Sequence, residues 1–148
     1  MFGFGKSSPA ASSVPPAFAA LKAFTARLDR DGIKYDVHSE RPIVFTSYRG
    51  DNFKSQKFSM FFDEDGKSIA MRVFSILKFS PDQLMDAYEF CNKMNLKYRW
   101  LRFYVDDDLE LTAAMDAVIT LDSCADGCRE LLGRTVSIVD DVYGELMS

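Results

Sequence analysis

Asp65-Gly66 lies between two apolar runs, and no other feature limits the possible folds of this chain as tightly. Asp-Gly in that setting favours a two-residue type I′ turn. With Glu64 opposite Lys67, Phe62 faces Ile69, Met60 faces Met71 and Phe58 faces Val73. One face of the hairpin is then wholly apolar. The other carries Lys57, Ser59, Phe61, Ala70, Arg72 and Phe74. A slip of one residue would mix the two sets, so the register is well specified. The second strand is expected to run on through Ile76 and Leu77.

A second hairpin is expected around Asp106-Asp107-Asp108. With those residues as the loop, Val105 faces Leu109, Phe103 faces Leu111 and Leu101 faces Ala113, again on one apolar face. Trp100, Arg102 and Tyr104 point the other way, opposite Glu110, Thr112, Ala114 and Asp116. Ile43–Tyr48 reads as a further strand, and Lys34–His38 as a weaker one, with turn chemistry at Gly50–Asn52.

Three helices complete the pattern. Phe18, Leu21, Phe24 and Leu28 recur at helical spacing after Pro15-Pro16, which predicts a helix over Pro16–Asp31 stopped by Gly32. Ser80-Pro81-Asp82-Gln83 supplies an N-cap, a proline at the first helical position and a capping-box glutamine. The apolar stripe that follows is Leu84, Ala87, Tyr88, Cys91 and Met94, ending near Asn95. A last helix starts at Asp122 or Ser123 and carries Cys128, Leu131, Leu132, Thr135, Ile138, Val139, Val142 and Leu146. Its Gly127, Gly133 and Gly144 are expected where it packs close to the sheet. The fold class is therefore α+β. A mainly antiparallel sheet of about five strands carries three helices in the order α-β-β-β-α-β-β-α.

The 148 residues suit one domain, expected over residues 16–148 behind a flexible leader at residues 1–15 rich in Ser, Pro, Ala and Gly. A net charge of -4 argues against nonspecific nucleic-acid binding and against docking on an anionic membrane. Three cysteines without dense spacing are no disulfide framework, and a reducing cytoplasm is the simplest location.

The chemistry-bearing residues each have an ordinary reading. His38, the single histidine, sits in a polar stretch and reads as a surface residue rather than a general base. Cys124 and Cys128 could clamp a metal only with two further ligands, and they fall on the apolar side of a helix. Asp63-Glu64-Asp65-Gly66 and Asp106–Asp108 lack the calcium-loop pattern. Gly3-Phe4-Gly5-Lys6 lacks the phosphate-loop spacing. No catalytic, metal or cofactor residue is therefore assigned. Lys93, Lys97, Tyr98, Arg99, Trp100, Arg102 and Tyr104 interleave charge and aromatics as single-stranded nucleic-acid binders do, but in an acidic chain they read as the outer side of a strand. The residues that remain are Phe61, Phe74, Ile76, Trp100, Arg102 and Tyr104, which would form a half-wet aromatic face suited to protein contact.

Cys91-Asn92-Lys93-Met94-Asn95, the strand Leu101–Val105, the acidic turn Asp106–Asp108 and the strand Leu109–Met115 resemble the YbjN family. These are bacterial proteins described as sensory transduction regulators. That family tends to end its middle helix in Asn-x-x-Asn, and its acidic turn usually holds a Gly where Asp108 stands here. The resemblance covers roughly Phe18 to Leu146. It implies a fold like that of type III secretion chaperones and a non-enzymatic, homodimeric role in regulation or protein handling, with a protein client or regulatory partner. The alternatives are a small-ligand or enzymatic pocket between helix and sheet, and more weakly a single-stranded nucleic-acid binder.

Overall fold

The computed structural model describes residues 14–148; most of the expected leader lies outside them. Helix α1 spans Pro16–Arg30. Strands β1 (Asp36–Val37), β2 (Ile43–Tyr48), β3 (Gln56–Phe62) and β4 (Ser68–Val73) follow. Then come α2 (Leu84–Lys97), β5 (Arg102–Val105), β6 (Leu111–Val118) and α3 (Leu121–Met147). The strands form one antiparallel sheet in the order β1-β2-β3-β4-β6-β5. It has six strands where about five were expected, because the weak Lys34–His38 segment contributes the short β1.

The β3–β4 register is the expected one, with Met60 opposite Met71 and Phe62 opposite Ile69. The turn is different. Gly66 N–H donates to the Asp63 carbonyl at 2.8 Å, and Asp63 N–H to Ser68 at 3.0 Å, so the loop is Glu64–Lys67. Gly66 has φ +71° while Asp65 stays at negative φ, which excludes type I′. A Cβ on Gly66 would also lie 2.8 Å from the Pro16 carbonyl oxygen, so α1 packs onto the turn.

The β5–β6 register lies two positions beyond the expected one, with Val105 opposite Leu111 and Phe103 opposite Ala113. The expected pairs Val105–Leu109, Phe103–Leu111 and Leu101–Ala113 do not form. Asp106 pairs with Glu110 instead, and the chain turns through Leu109 at φ +62°. The left-handed position that favours glycine thus falls on Leu109 rather than Asp108. A shift of two preserves sidedness, so Phe103, Leu111, Ala113 and Met115 still face the core.

All three helices contribute to one core cluster with the inner face of the sheet. Leu21, Phe24 and Leu28 of α1 and Cys124, Cys128, Leu132, Val139 and Val142 of α3 meet Phe58, Met60, Phe62, Ile69, Met71 and Val73 there. α1 ends as expected, with Ile33 N–H returning to Leu28 O at 2.9 Å. α3 starts earlier than expected: Thr120 is its N-cap and trades hydrogen bonds with Ser123. A Cβ on Gly144 would sit 2.8 Å from Asn52 Nδ2. The close approach is therefore to the β2–β3 loop rather than to the sheet. Asp140 of α3 holds that loop, accepting from the N–H groups of Asp51, Asn52 and Phe53 at 2.8–3.1 Å.

α2 follows one 3₁₀ turn, Pro81–Gln83, in which Gln83 Oε1 accepts from the Ser80 N–H at 2.9 Å. Ala87, Cys91 and Met94 are buried, whereas Tyr88, expected in the same stripe, is exposed. Asn95 explains one residue of the Asn-x-x-Asn pattern. Its Nδ2 donates to Phe103 O at 3.2 Å, and its Oδ1 accepts from Phe103 N–H at 2.7 Å. One carboxamide thereby satisfies backbone groups on the free edge of β5, which would otherwise invite another strand.

Candidate functional site

The helices occupy one side of the sheet. The other side carries Phe45, Lys57, Phe61, Ala70, Arg72, Phe74, Asp116, Arg102 and Tyr104, by the alternation of the paired strands. Ile43 and Ala114 are buried on this side yet do not join the core cluster. Ala114 lies between Arg72 and Arg102 in the ladder. Both arginines reach Asp116, at 2.9 and 3.2 Å, and their stems cover the small residue between them. Burial alone would raise the Asp116 carboxyl. Hydrogen bonds and charge from Arg72, then Arg102, outweigh it and hold the group below the ordinary carboxylate value.

Aromatics flank this ionic centre. Phe61 and Phe74 meet edge to face at 6.5 Å, with Phe74 46% exposed. Lys57 Nζ stands 4.8 Å over the Phe45 ring. Tyr104 is 38% exposed on the far strand. Four residues assigned from the sequence, Phe61, Phe74, Arg102 and Tyr104, therefore share one face.

Two assigned residues do not. Ser75 adopts φ +56°, and the chain resumes pairing beyond it, with Ile76 N–H donating to Leu111 O at 3.0 Å. That bulge turns Ile76 inward, where it is 6% exposed within the core. Trp100 precedes β5 at φ +78°, so strand alternation does not reach it. Its ring lies on the helix side, 5.1 Å from the Arg134 guanidinium of α3 and 5.4 Å from that of Arg99. Neither residue type announces a left-handed backbone, so the sequence carries no signal for either reversal.

Trp100 borders an open groove of about 880 Å³ on the helix side, with Arg27, Asp31, Asp126, Arg129 and Arg134. Its charges are already matched. Asp31 accepts from Arg27 and Arg129, each at 3.0 Å, Asp126 pairs with Arg27, and Glu130 with Arg134.

The remaining candidates have local tasks. His38 Nδ1 accepts from the N–H groups of Glu40 and Arg41 at 3.0 and 2.9 Å, closing the turn before β2. Cys124 and Cys128 are buried with sulfurs 3.9 Å apart, and the Cys124 thiol donates to Ala20 O. The contact with Cys124 and burial hold the Cys128 thiol far above its ordinary value, the reverse of a reactive cysteine. Oxygens of Asp106, Asp108 and Glu110 cluster within 4.8 Å. The Asp106 carboxylate, however, accepts from Asp108 N–H, Glu110 N–H and the Thr112 hydroxyl, and so organises the turn. The basic-aromatic run is divided among surfaces. Lys97 and Tyr98 hydrogen-bond Glu145 of α3, Arg99 and Arg134 both stand against the Trp100 ring, and Arg102 and Tyr104 lie across the sheet. No single stacking platform results. No helix of the described residues is long and apolar enough to cross a membrane.

The family described as "YbjN: Putative bacterial sensory transduction regulator" matches residues 21–147. A solved structure described as "Crystal structure of YbjN, a putative transcription regulator from E. coli" is similar with a TM-score of 0.59 at 10% identity. The likeness covers 85% of this chain and 92% of that one and, at this identity, concerns the fold. No curated protein matches the chain.

Proposed function

The chain belongs to the YbjN family, and from that premise we propose that residues 16–148 form a non-enzymatic, cytoplasmic and homodimeric regulatory domain. Its working surface is the open face of the sheet, which binds a partner protein much as a chaperone or adaptor holds a client. One observation carries the reading. Among the described residues no helix covers this sheet face, which presents the exposed rings of Phe74 and Tyr104 and the partly buried ring of Phe61 around the Arg72–Asp116–Arg102 network. Aromatic and arginine side chains in that arrangement are the common anchors of protein interfaces. His38, Asp106, Cys124 and Cys128, by contrast, are engaged in turns and packing.

Affinity purification from the native host tests the surface. A Phe74→Ala/Tyr104→Ala variant should lose the partners that wild type retains, by roughly tenfold in recovered amount, as truncating interface anchors does. Trp100→Ala, on the opposite side, should retain them. An unchanged partner set in the double variant would remove this face from consideration.

A further inference from the structure

α2 carries two apolar stripes rather than one. Ala87, Cys91 and Met94 face the core. On the opposite side Met85 is 73% exposed, Tyr88 51% and Leu96 82%. At about 100° per residue, Met85, Tyr88, Asn92 and Leu96 fall within roughly one quarter of the helix circumference, centred away from the core. A surface helix ordinarily carries polar residues there. Glu89 and Lys93 flank the stripe with Glu→Lys spacing suited to an intrahelical pair, yet neither makes an ion pair among the described residues.

We propose that this outward side of α2 is a twofold seam on which a second copy of the chain docks, helix against antiparallel helix. The proposal rests on the homodimeric reading above and names the surface that reading leaves open. The sequence of the stripe complements itself under that symmetry. A dyad midway between Phe90 and Cys91 sets Met85 against Leu96 of the partner copy, and Leu96 against Met85. On one flank Glu89 meets Lys93 of the other copy; on the other, Tyr88 meets Asn92. Each apolar end finds an apolar end, and each charge an opposite charge, with both pairs made twice as an isologous contact requires. A helix of this length presents about 20 Å of seam, so the contact belongs with the small interfaces, below roughly 1,200 Å² in total, that weak associations use, and micromolar concentrations are the range to test. The sheet face stays free on both copies.

Sedimentation velocity on the full chain, from about 1 to 200 μM to bracket that range, reads the outcome directly. Wild type should pass from monomer to dimer across the series. Leu96→Glu and Met85→Glu should each weaken dimerisation by roughly tenfold or more, because each sets two unpaired carboxylates in the apolar ends of the seam. Far-UV circular dichroism should remain that of wild type, since both positions are exposed in the single chain. Glu89→Lys and Lys93→Glu should each weaken the dimer, and the combined Glu89→Lys/Lys93→Glu chain should regain it. Mixing the Glu89→Lys and Lys93→Glu chains should restore dimers as well, and that recovery follows from pairing across a dyad, since neither chain regains an opposite-charge pair of its own. Phe74→Ala/Tyr104→Ala should dimerise as wild type does, so a failure of the seam and a failure of the partner-binding face are separate results. A wild type that stays monomeric throughout, a dimer indifferent to Leu96→Glu, or a charge exchange without recovery would each overturn the seam.

Discussion

Phe58 and Phe74 belong to the same hairpin and share a side chain, yet they stand in different solvents. Phe58 points into the helix layer, 1% exposed, with the rings of Tyr48 and Phe53 at 5.7 and 6.2 Å. Phe74 points away from the helices, half exposed, with the Phe61 ring edge to face at 6.5 Å. The inner face is held by apolar burial. The outer face is held by side chains that cover one another, arginine stems over Ala114 and a carboxylate between two guanidiniums. A face organised in that way keeps aromatic surface available without surrendering its own order, and this is why the outer side is the place to look for function.

The largest test of the contrast is a pair of truncations read by urea unfolding. Phe58→Ala should cost about 3–5 kcal/mol, the range for a buried phenylalanine whose cavity relaxes only in part. Phe74→Ala should cost at most about 1 kcal/mol, mainly its edge-to-face partner. Similar losses at both positions would mean that the outer face is buried in the folded chain, and the contrast between the faces would fail.

Sidedness was legible in the sequence because it depends only on the period-2 alternation, which tolerates errors that come in twos. In the first hairpin the turn is longer than an Asp-Gly centre suggests, but Glu64–Lys67 replaces Asp65-Gly66 symmetrically and the register survives. In the second the pairing moves by two, and Phe103 and Leu111 still face inward. Alternation fails where a single residue leaves the extended region. Ser75 and Trp100 do so, at φ +56° and +78°, and they account for both misplaced residues of the candidate face, Ile76 and Trp100 itself. Nothing in a serine or a tryptophan forecasts that conformation. It follows from tertiary demands, the pairing of Ile76 with Leu111 and the placement of Trp100 against Arg134. The outward stripe of α2 was partly visible but misassigned. Tyr88 fits the helical period of the core stripe, and only the packed structure shows it on the other side.

The edge between the two faces gives a smaller effect. Asn95 closes the free side of β5 through both backbone groups of Phe103. Asn95→Leu keeps the branching of the side chain and removes both hydrogen bonds, leaving the edge donor and acceptor of Phe103 to water or to another chain. The expected loss is about 1–2 kcal/mol in urea unfolding. Faster amide hydrogen exchange should be confined at first to β5, because a local opening there leaves the β2–β3–β4 core intact. Exchange that accelerates equally across the sheet would show that α2 and β5 unfold only with the whole molecule.

The smallest effect concerns the charge at the centre of the outer face. The Asp116 carboxyl lies below its ordinary value of 3.8 in the folded chain. The folded state therefore binds that proton less readily than the unfolded chain. Its contribution to stability is present above the ordinary value and is lost as pH falls through the lower, folded one. Asp116 is half exposed, so solvent screens the pairing and the contribution at pH 7 is only about 0.5 kcal/mol. Asp116→Asn should remove it there, and the difference between wild type and variant should shrink as pH falls through the folded value, below which both carry a neutral group. Arg72 should keep its place in either case, since its Nη1 also donates to the Met71 and Met115 carbonyls at 2.9 and 3.1 Å. A difference that persists in acid would assign the order of this face to packing by the arginine stems rather than to their charge, and would extend to the outer side the kind of stabilisation now assigned to the inner one.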